Sequence, residues 1–180
     1  MKTSQFCKTY KPCREGRKYA LSFGHMAEVW EECTRPDWLF WIMEHYRPLT
    51  KPEAVTLAVR FAEGAMKNWT PAADTRPQEA AAAAKAWLAN PTRETAGAAR
   101  VAWAAAECAA RAAWAEVGVG VAVCAAADAA AEAARAAGAV RSWVARSGAA
   151  RAAWAAGASD AAQCREIRDV IPNPFITDPA

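Results

Sequence analysis

Apolar residues recur every three or four positions along most of this chain, the spacing that gathers them on one face of an α-helix. Residues 25–33 show the pattern, with Met26, Val29, Trp30 and Cys33 on one stripe. We therefore expect an all-α fold of about eight helices. The predicted helical stretches are 14–21, 25–33, one after Thr34 that carries Trp38 to Tyr46, 50–69, 75–90, 93–117, 121–137, 139–157 and 159–170.

Three segments carry the residues that start helices: Thr34–Asp37, Thr50–Glu53 and Thr75–Gln78. Each has Thr, then a basic residue, then Pro, then an acid or amide. A Thr side chain can cap a helix, Pro is tolerated in the first turn, and the last residue can reach back to the cap. Each Thr is therefore a predicted N-cap, and Thr92 is predicted to cap the helix that follows Pro91.

We expect one domain over 1–180, with a change of composition near residue 70. The N-terminal side contains a basic extended arm at 1–12 and a Trp-rich helical part at 13–70. The C-terminal side contains an Ala-rich antiparallel array of helical hairpins at 71–171 and an extended tail at 172–180. The predicted packing places the N-terminal Trp-rich cluster on the Ala-rich array.

The Ala-rich part contains an internal repeat. Residues 99–118 align with 139–158 at an offset of 40, which pairs Trp103 with Trp143 and Trp114 with Trp154. The two Trp in each copy are 11 residues apart, three helical turns, so they share a face. A period near 40 is the length of one two-helix hairpin.

Composition supports the all-α class. The chain has about 50 Ala in 180 residues, only two of them in the first 50, and nine Trp. Ala is the best helix former, so a β-sandwich, a barrel or a parallel sheet is excluded. Most of the Trp are interpreted as core that fills the gaps between Ala faces, with Trp30, Trp38 and Trp41 all expected to be buried. Trp69, at a predicted helix end beside Pro71, is the candidate residue for binding a partner.

The net charge of the whole chain says little about its function, but the charge of its first 20 residues says more. The formal net charge is +3, but residues 1–20 carry six Lys or Arg against one Glu, whereas the charges from residue 71 onward balance. We expect no nucleic-acid binding, because Arg141, Arg146 and Arg151 differ in helical phase and form no stripe. No stretch qualifies as membrane-spanning or as a signal peptide, and the expected location is the cytoplasm.

Chemistry-bearing residues are sparse. His25 and His45 lack a neighbouring nucleophile motif, and no glycine-rich phosphate loop occurs, so we expect no enzyme and no cofactor. Cys7, Cys13, Cys33 and His25 are residue types that can gather around a metal, but free thiols in a reducing compartment are favoured. The prediction is no metal. Three further cysteines among Ala are expected to be buried: Cys108, Cys124 and Cys164.

Several segments together resemble the bacterial immunity-protein-five-like family and its Ala-rich relatives. They are Pro12-Cys-Arg-Glu-Gly16, Glu28-Val-Trp-Glu-Glu-Cys33, Arg35-Pro-Asp-Trp-Leu-Phe-Trp41, Asp74-Thr-Arg-Pro77, Ala80 to Trp87 and Arg168-Asp-Val-Ile-Pro-Asn-Pro-Phe175. Pro36 stands where the family pattern leads us to expect Gly. The resemblance implies a cytosolic helical protein that binds and neutralises a protein partner, and it brings no site residues.

The expected function is therefore non-enzymatic inhibition by protein binding, as an immunity protein or a phage-type anti-defence protein that neutralises a toxin or defence effector. Two alternatives remain. One is a scaffold that self-associates through Ala faces, and the other is a small-ligand binder with a Trp-lined pocket between helices. We also expect a homodimer, because one core of this size cannot bury every face of so many Ala helices.

Overall fold

The computed structural model describes residues 1–67, 74–115, 121–139, 142–155 and 159–176, and it describes their side chains except at 113–115, 121–123 and 142–143. The fold is all-helical, with 79% helix and no strand in the described part. The class is as predicted, but ten helices replace about eight. They are α1 (Thr3–Tyr10), α2 (Arg14–Ala20), α3 (Met26–Glu32), α4 (Pro36–His45), α5 (Lys51–Met66), α6 (Arg76–Ala89), α7 (Arg93–Ala115), α8 (Val121–Gly138), α9 (Ser142–Ala155) and α10 (Asp160–Val170).

The extended arm predicted at 1–12 is wrong, because α1 occupies most of it. Phe6 and Cys7 are buried on one face of this helix, while its lysine is exposed. The helix ends at Lys11, whose left-handed backbone (φ 50°) lets its N–H reach the Cys7 carbonyl. The basic residues obscure the pattern of a short amphipathic helix that buries three side chains, those of Thr3, Phe6 and Cys7.

The chain forms two compact units, Met1–Pro48 with Asp160–Ala180, and Leu49–Ser159. This division differs from the composition boundary predicted near residue 70. Helix α5 belongs to the second unit because it packs against α6, α8 and α9. Helix α10 belongs to the first, where it packs against α4.

The C-terminal segment completes the first unit. The Arg168 guanidinium donates to the carbonyl of Trp30 at 2.7 and 2.8 Å and to that of Cys33 at 2.5 Å, which satisfies the end of α3. Phe175 is buried and stacks on Tyr46 at a centroid distance of 4.4 Å. The extended tail predicted at 172–180 is therefore wrong for its described part, 172–176, which turns and docks. Residues 177–180 lie outside the described residues.

Helix α8 is the centre of the second unit. It packs against α5, α6, α7 and α9, and its alanines are buried around most of its circumference. A β-carbon built on Gly148 of α9 would lie 3.1 Å from the Ala136 Cβ and 3.3 Å from the Glu132 carbonyl oxygen. Small side chains therefore let the helix backbones approach closely, which is the physical use of an Ala-rich sequence here.

The predicted helix starts have three outcomes. Thr50 accepts from the Glu53 N–H and Glu53 accepts from the Thr50 N–H, a reciprocal capping box as predicted. Thr92 accepts from the Thr95 N–H at 3.2 Å, also as predicted. Thr75 is the N-cap of α6 but forms no side-chain capping bond. Thr34 is not a cap, because α4 starts one residue later with Arg35 as its N-cap.

In the part of the chain that the structure describes, no helix is both long enough and apolar enough to cross a membrane.

Candidate functional site

The N-terminal helices form a basic cleft in the first unit. Ser4 and Lys8 are four residues apart on one side of α1, Lys11 follows the end of that helix, and Arg17 of α2 lines the same cleft. Cys7, Pro12 and Leu21 complete its walls, and its volume is about 610 Å³. Three of the six cations at the start of the chain, Lys8, Lys11 and Arg17, therefore line one cleft.

These cations are exposed and unneutralised. All six Lys and Arg of residues 1–20 are exposed: Lys2, Lys8, Lys11, Arg14, Arg17 and Lys18. None of them forms an ion pair with a carboxylate within the described residues. Three of them, Lys8, Lys11 and Arg17, line the cleft, and we call the surface that these three form the basic face. Arg17 also acts on the interior, because its charge opposes the rise that burial causes in the pKa of the Cys7 thiol.

A second cavity of about 220 Å³ lies among helices α1 to α4 of the same unit. Four aromatic side chains line it: Phe6, Tyr19, Trp38 and Trp41. Its other walls are Pro12, Cys13, Gly16, Ala20, Met26, Val29, Cys33, Asp37 and Ile42. We call it the aromatic cavity. The sequence suggested a Trp-lined pocket as one alternative but did not indicate its position. The aromatic residues of α2 and α4 were the signal that could have located it.

The one charged residue in the lining of the aromatic cavity is already paired. Arg35 donates to both carboxylate oxygens of Asp37 at 2.9 and 2.8 Å, and its guanidinium lies 4.8 Å from the Trp38 ring centroid. This hydrogen bonding holds the pKa of Asp37 below its usual value. Burial raises the pKa of the Cys33 thiol and of the Tyr19 hydroxyl, so both stay neutral at pH 7.

The tryptophans divide between core and surface. Trp30 is fully buried, as predicted. The prediction that Trp38 and Trp41 are buried is wrong, since both are half-buried and line the aromatic cavity. Trp154 is 87% exposed, which contradicts a core role.

The predicted partner-binding residue, Trp69, lies outside the described residues. The side chains of Trp114 and Trp143, which the repeat pairs with Trp154 and Trp103, are also outside them. Trp103 and Trp154 line a groove of about 340 Å³ in the second unit. The charged residues Glu107, Asp128, Glu132, Arg135 and Arg151 line the same groove.

The candidate metal ligands do not come together. Among the described residues, no group of three His, Cys, Asp or Glu side chains is placed to hold a metal ion. Cys7 and Cys33 are buried, whereas the Cys13 thiol is exposed and accepts from the Gly16 N–H at 3.3 Å. Cys124 and Cys164 are buried as expected, but Cys108 is exposed.

The two histidines have structural neighbours. His25 is the N-cap of α3, and its backbone N–H donates to the Glu28 carboxylate at 3.4 Å. His45 stacks on Trp41 at a centroid distance of 4.2 Å, and its Nδ1 lies 2.9 Å from the Trp41 carbonyl oxygen.

Comparison of the chain with models of known families, with curated proteins and with solved structures found no match.

Proposed function

We propose that this chain is a non-enzymatic binding protein of the cytoplasm, which neutralises a toxin or defence effector as an immunity protein or a phage-type anti-defence protein does. The family resemblance of the sequence supports this proposal at the level of protein class. The observation that carries it is the basic face, where the exposed cations Lys8, Lys11 and Arg17 line one cleft without an ion-pair partner among the described residues.

The basic face is held rigidly. Phe6 anchors α1, with its ring centroid 5.8 Å from that of Phe175 and 6.2 Å from that of Trp41. The Thr3 hydroxyl donates to the Phe23 carbonyl at 2.8 Å, and the Thr3 N–H donates to that of Gly24. These contacts fix the backbone of α1, and exposed cations accelerate association with an oppositely charged surface. The partner we propose is therefore a protein with an acidic surface.

The charge distribution favours a protein partner over nucleic acid. The excess is confined to the first 20 residues, while the whole chain carries only +3. A nucleic-acid-binding domain usually carries a larger basic excess along a stripe.

The proposal is tested by affinity capture from the native host at low salt, with mass spectrometry to identify the bound protein. The triple variant Lys8→Glu, Lys11→Glu, Arg17→Glu should lose the captured protein, because it reverses the charge of the cleft. The matched control reverses three exposed cations elsewhere, Lys67→Glu, Arg93→Glu and Arg165→Glu, and should keep it.

A protein captured by the wild type and the control, lost by the cleft variant and displaced by added salt supports the proposal. Equal capture by both variants would refute the role of the basic face. Recovery of nucleic acid in place of an acidic protein would refute the proposed partner class.

A further inference from the structure

The aromatic cavity is separate from the basic cleft, because Pro12 is the only described residue that lines both. Its aromatic walls come from three helices: Phe6 from α1, Tyr19 from α2, and Trp38 and Trp41 from α4. The Tyr19 and Trp38 ring centroids are 5.3 Å apart, and those of Phe6 and Trp41 are 6.2 Å apart. Rings placed in this way offer both faces and edges to a further ring.

The walls disfavour an anionic ligand. Among the described residues, Asp37 is the only ionised residue in the lining, and Arg35 donates to both of its oxygens. Within the described residues no free cation or anion faces the cavity to compensate a ligand charge. An anion carried into this site would lose its hydration without gaining a partner.

The volume and the hydrogen-bonding groups of the cavity further limit which ligands fit. An engineered apolar cavity of about 150 Å³ holds benzene, so about 220 Å³ suits one ring or two fused rings. The Tyr19 hydroxyl and the indole N–H groups of Trp38 and Trp41 have no hydrogen-bond partner among the described residues. One polar group on the ligand can therefore be accommodated.

We infer that the aromatic cavity binds one planar aromatic molecule of one or two rings that carries no negative charge and at most one hydrogen-bonding group. This binding activity goes beyond the proposed inhibition of a protein partner and does not depend on it.

The test is calorimetric titration of the full chain with indole. Indole should bind with one-to-one stoichiometry and a Kd on the order of 100 µM, a reasonable affinity for so small a ligand. Indole-3-acetate, which adds a carboxylate, should bind at least about tenfold more weakly because that charge is desolvated. Phenol should bind more tightly than cyclohexanol, which has no aromatic face.

A cavity-filling variant tests the location. A β-carbon on Gly16 would lie 3.4 Å from the Cys13 sulfur and 4.0 Å from Trp38 Cε2, which is ordinary contact. Gly16→Leu therefore keeps the helix and places its side chain in the cavity. Gly64→Leu is the matched control, because nothing lies within 4 Å of a β-carbon there.

Gly16→Leu should weaken indole binding by at least about tenfold, whereas Gly64→Leu should leave it unchanged. In the wild type, saturating indole should also shift the indole N–H resonances of Trp38 and Trp41. Absence of indole binding up to its solubility limit, equal binding by Gly16→Leu, or equal affinity for indole-3-acetate would each overturn the inference.

Discussion

At the scale of single residues, the partner of one carboxylate decides where a helix begins. Glu53 reaches back to the Thr50 N–H at 2.9 Å, and the Thr50 hydroxyl accepts from the Glu53 N–H. Asp37 is instead held by both arms of Arg35. The Arg35 guanidinium can bind both oxygens of a carboxylate at once, whereas lysine at position 51 has a single ammonium group. Asp37 is therefore drawn away from capping its helix, and Glu53 is not.

Two threonine variants check this account. Thr50→Ala should lower the free energy of unfolding by about 1 kcal/mol, because α5 loses its cap. Thr34→Ala should leave it unchanged within about 0.5 kcal/mol, because Thr34 is exposed and caps nothing. Urea denaturation of the two variants measures both effects, and equal losses would show that Thr34 does cap α4.

The Asp37–Arg35 pair should make a small, pH-dependent contribution to stability. Because the folded-state pKa of Asp37 is lowered, the contribution is complete above the ordinary Asp pKa of about 3.9 and is lost as pH falls through the folded value. The Asp37 side chain is 57% exposed, so we expect less than about 1 kcal/mol at pH 7. Urea denaturation of Asp37→Ala and wild type from pH 7 to pH 3 should show the difference shrinking. A difference that grows on acidification would contradict the assignment.

At the scale of helices, close approach in the Ala-rich unit depends on small residues at specific positions. Helices α7 and α9, which the 40-residue repeat pairs, both pack on α8. Gly148 lies where α9 meets Ala136 and the Glu132 carbonyl, whereas Gly64 of α5 is exposed with open space around it. The same substitution at the two glycines should therefore have opposite effects.

Gly148→Ala should destabilise the protein by about 1–3 kcal/mol, because the added methyl must push α9 away from α8. Gly64→Ala should stabilise it by about 0.5–1 kcal/mol, because Ala is the better helix former. Thermal and urea denaturation of both variants test this. Stabilisation by Gly148→Ala would show that the two backbones are further apart than described.

More of the helices than of the candidate site could be predicted from the sequence. Helix periodicity and turn residues predicted α2 to α10 because apolar spacing and Pro or Gly act locally. Helix α1 was missed because only Phe6, Cys7 and Tyr10 interrupt its polar residues. The basic face and the aromatic cavity each require α1 and α2 to lie side by side. No local sequence pattern predicts that these two helices are neighbours.

At the scale of the whole molecule, exposed apolar surface bears on the oligomeric state. Trp154 is 87% exposed on the Ala-rich unit, beside Trp103 in a groove lined by charges of both signs. A large aromatic side chain left in water is a common feature of surfaces that bind another protein. We propose that this surface forms the homodimer that the Ala-rich composition predicts.

Light scattering during size exclusion at tens of micromolar should give about twice the monomer mass of 19.3 kDa. Trp154→Ser should give the monomer. Val101→Ser is the matched control, because Val101 is 73% exposed and lies about 200° around α7 from Trp103, so it should leave the dimer intact. A monomeric wild type would refute the dimer. A dimeric Trp154→Ser variant would show that the interface lies on another surface.

The most direct test of the central proposal is neutralisation in living cells. The protein captured by this chain is expressed in a host whose growth it arrests, together with the wild type, the Lys8, Lys11 and Arg17 charge-reversal variant, or the matched control. We predict that the wild type and the control restore growth and that the cleft variant, present at equal level, does not. Growth restored equally by the cleft variant, or not restored by the wild type, would contradict inhibition through the basic face.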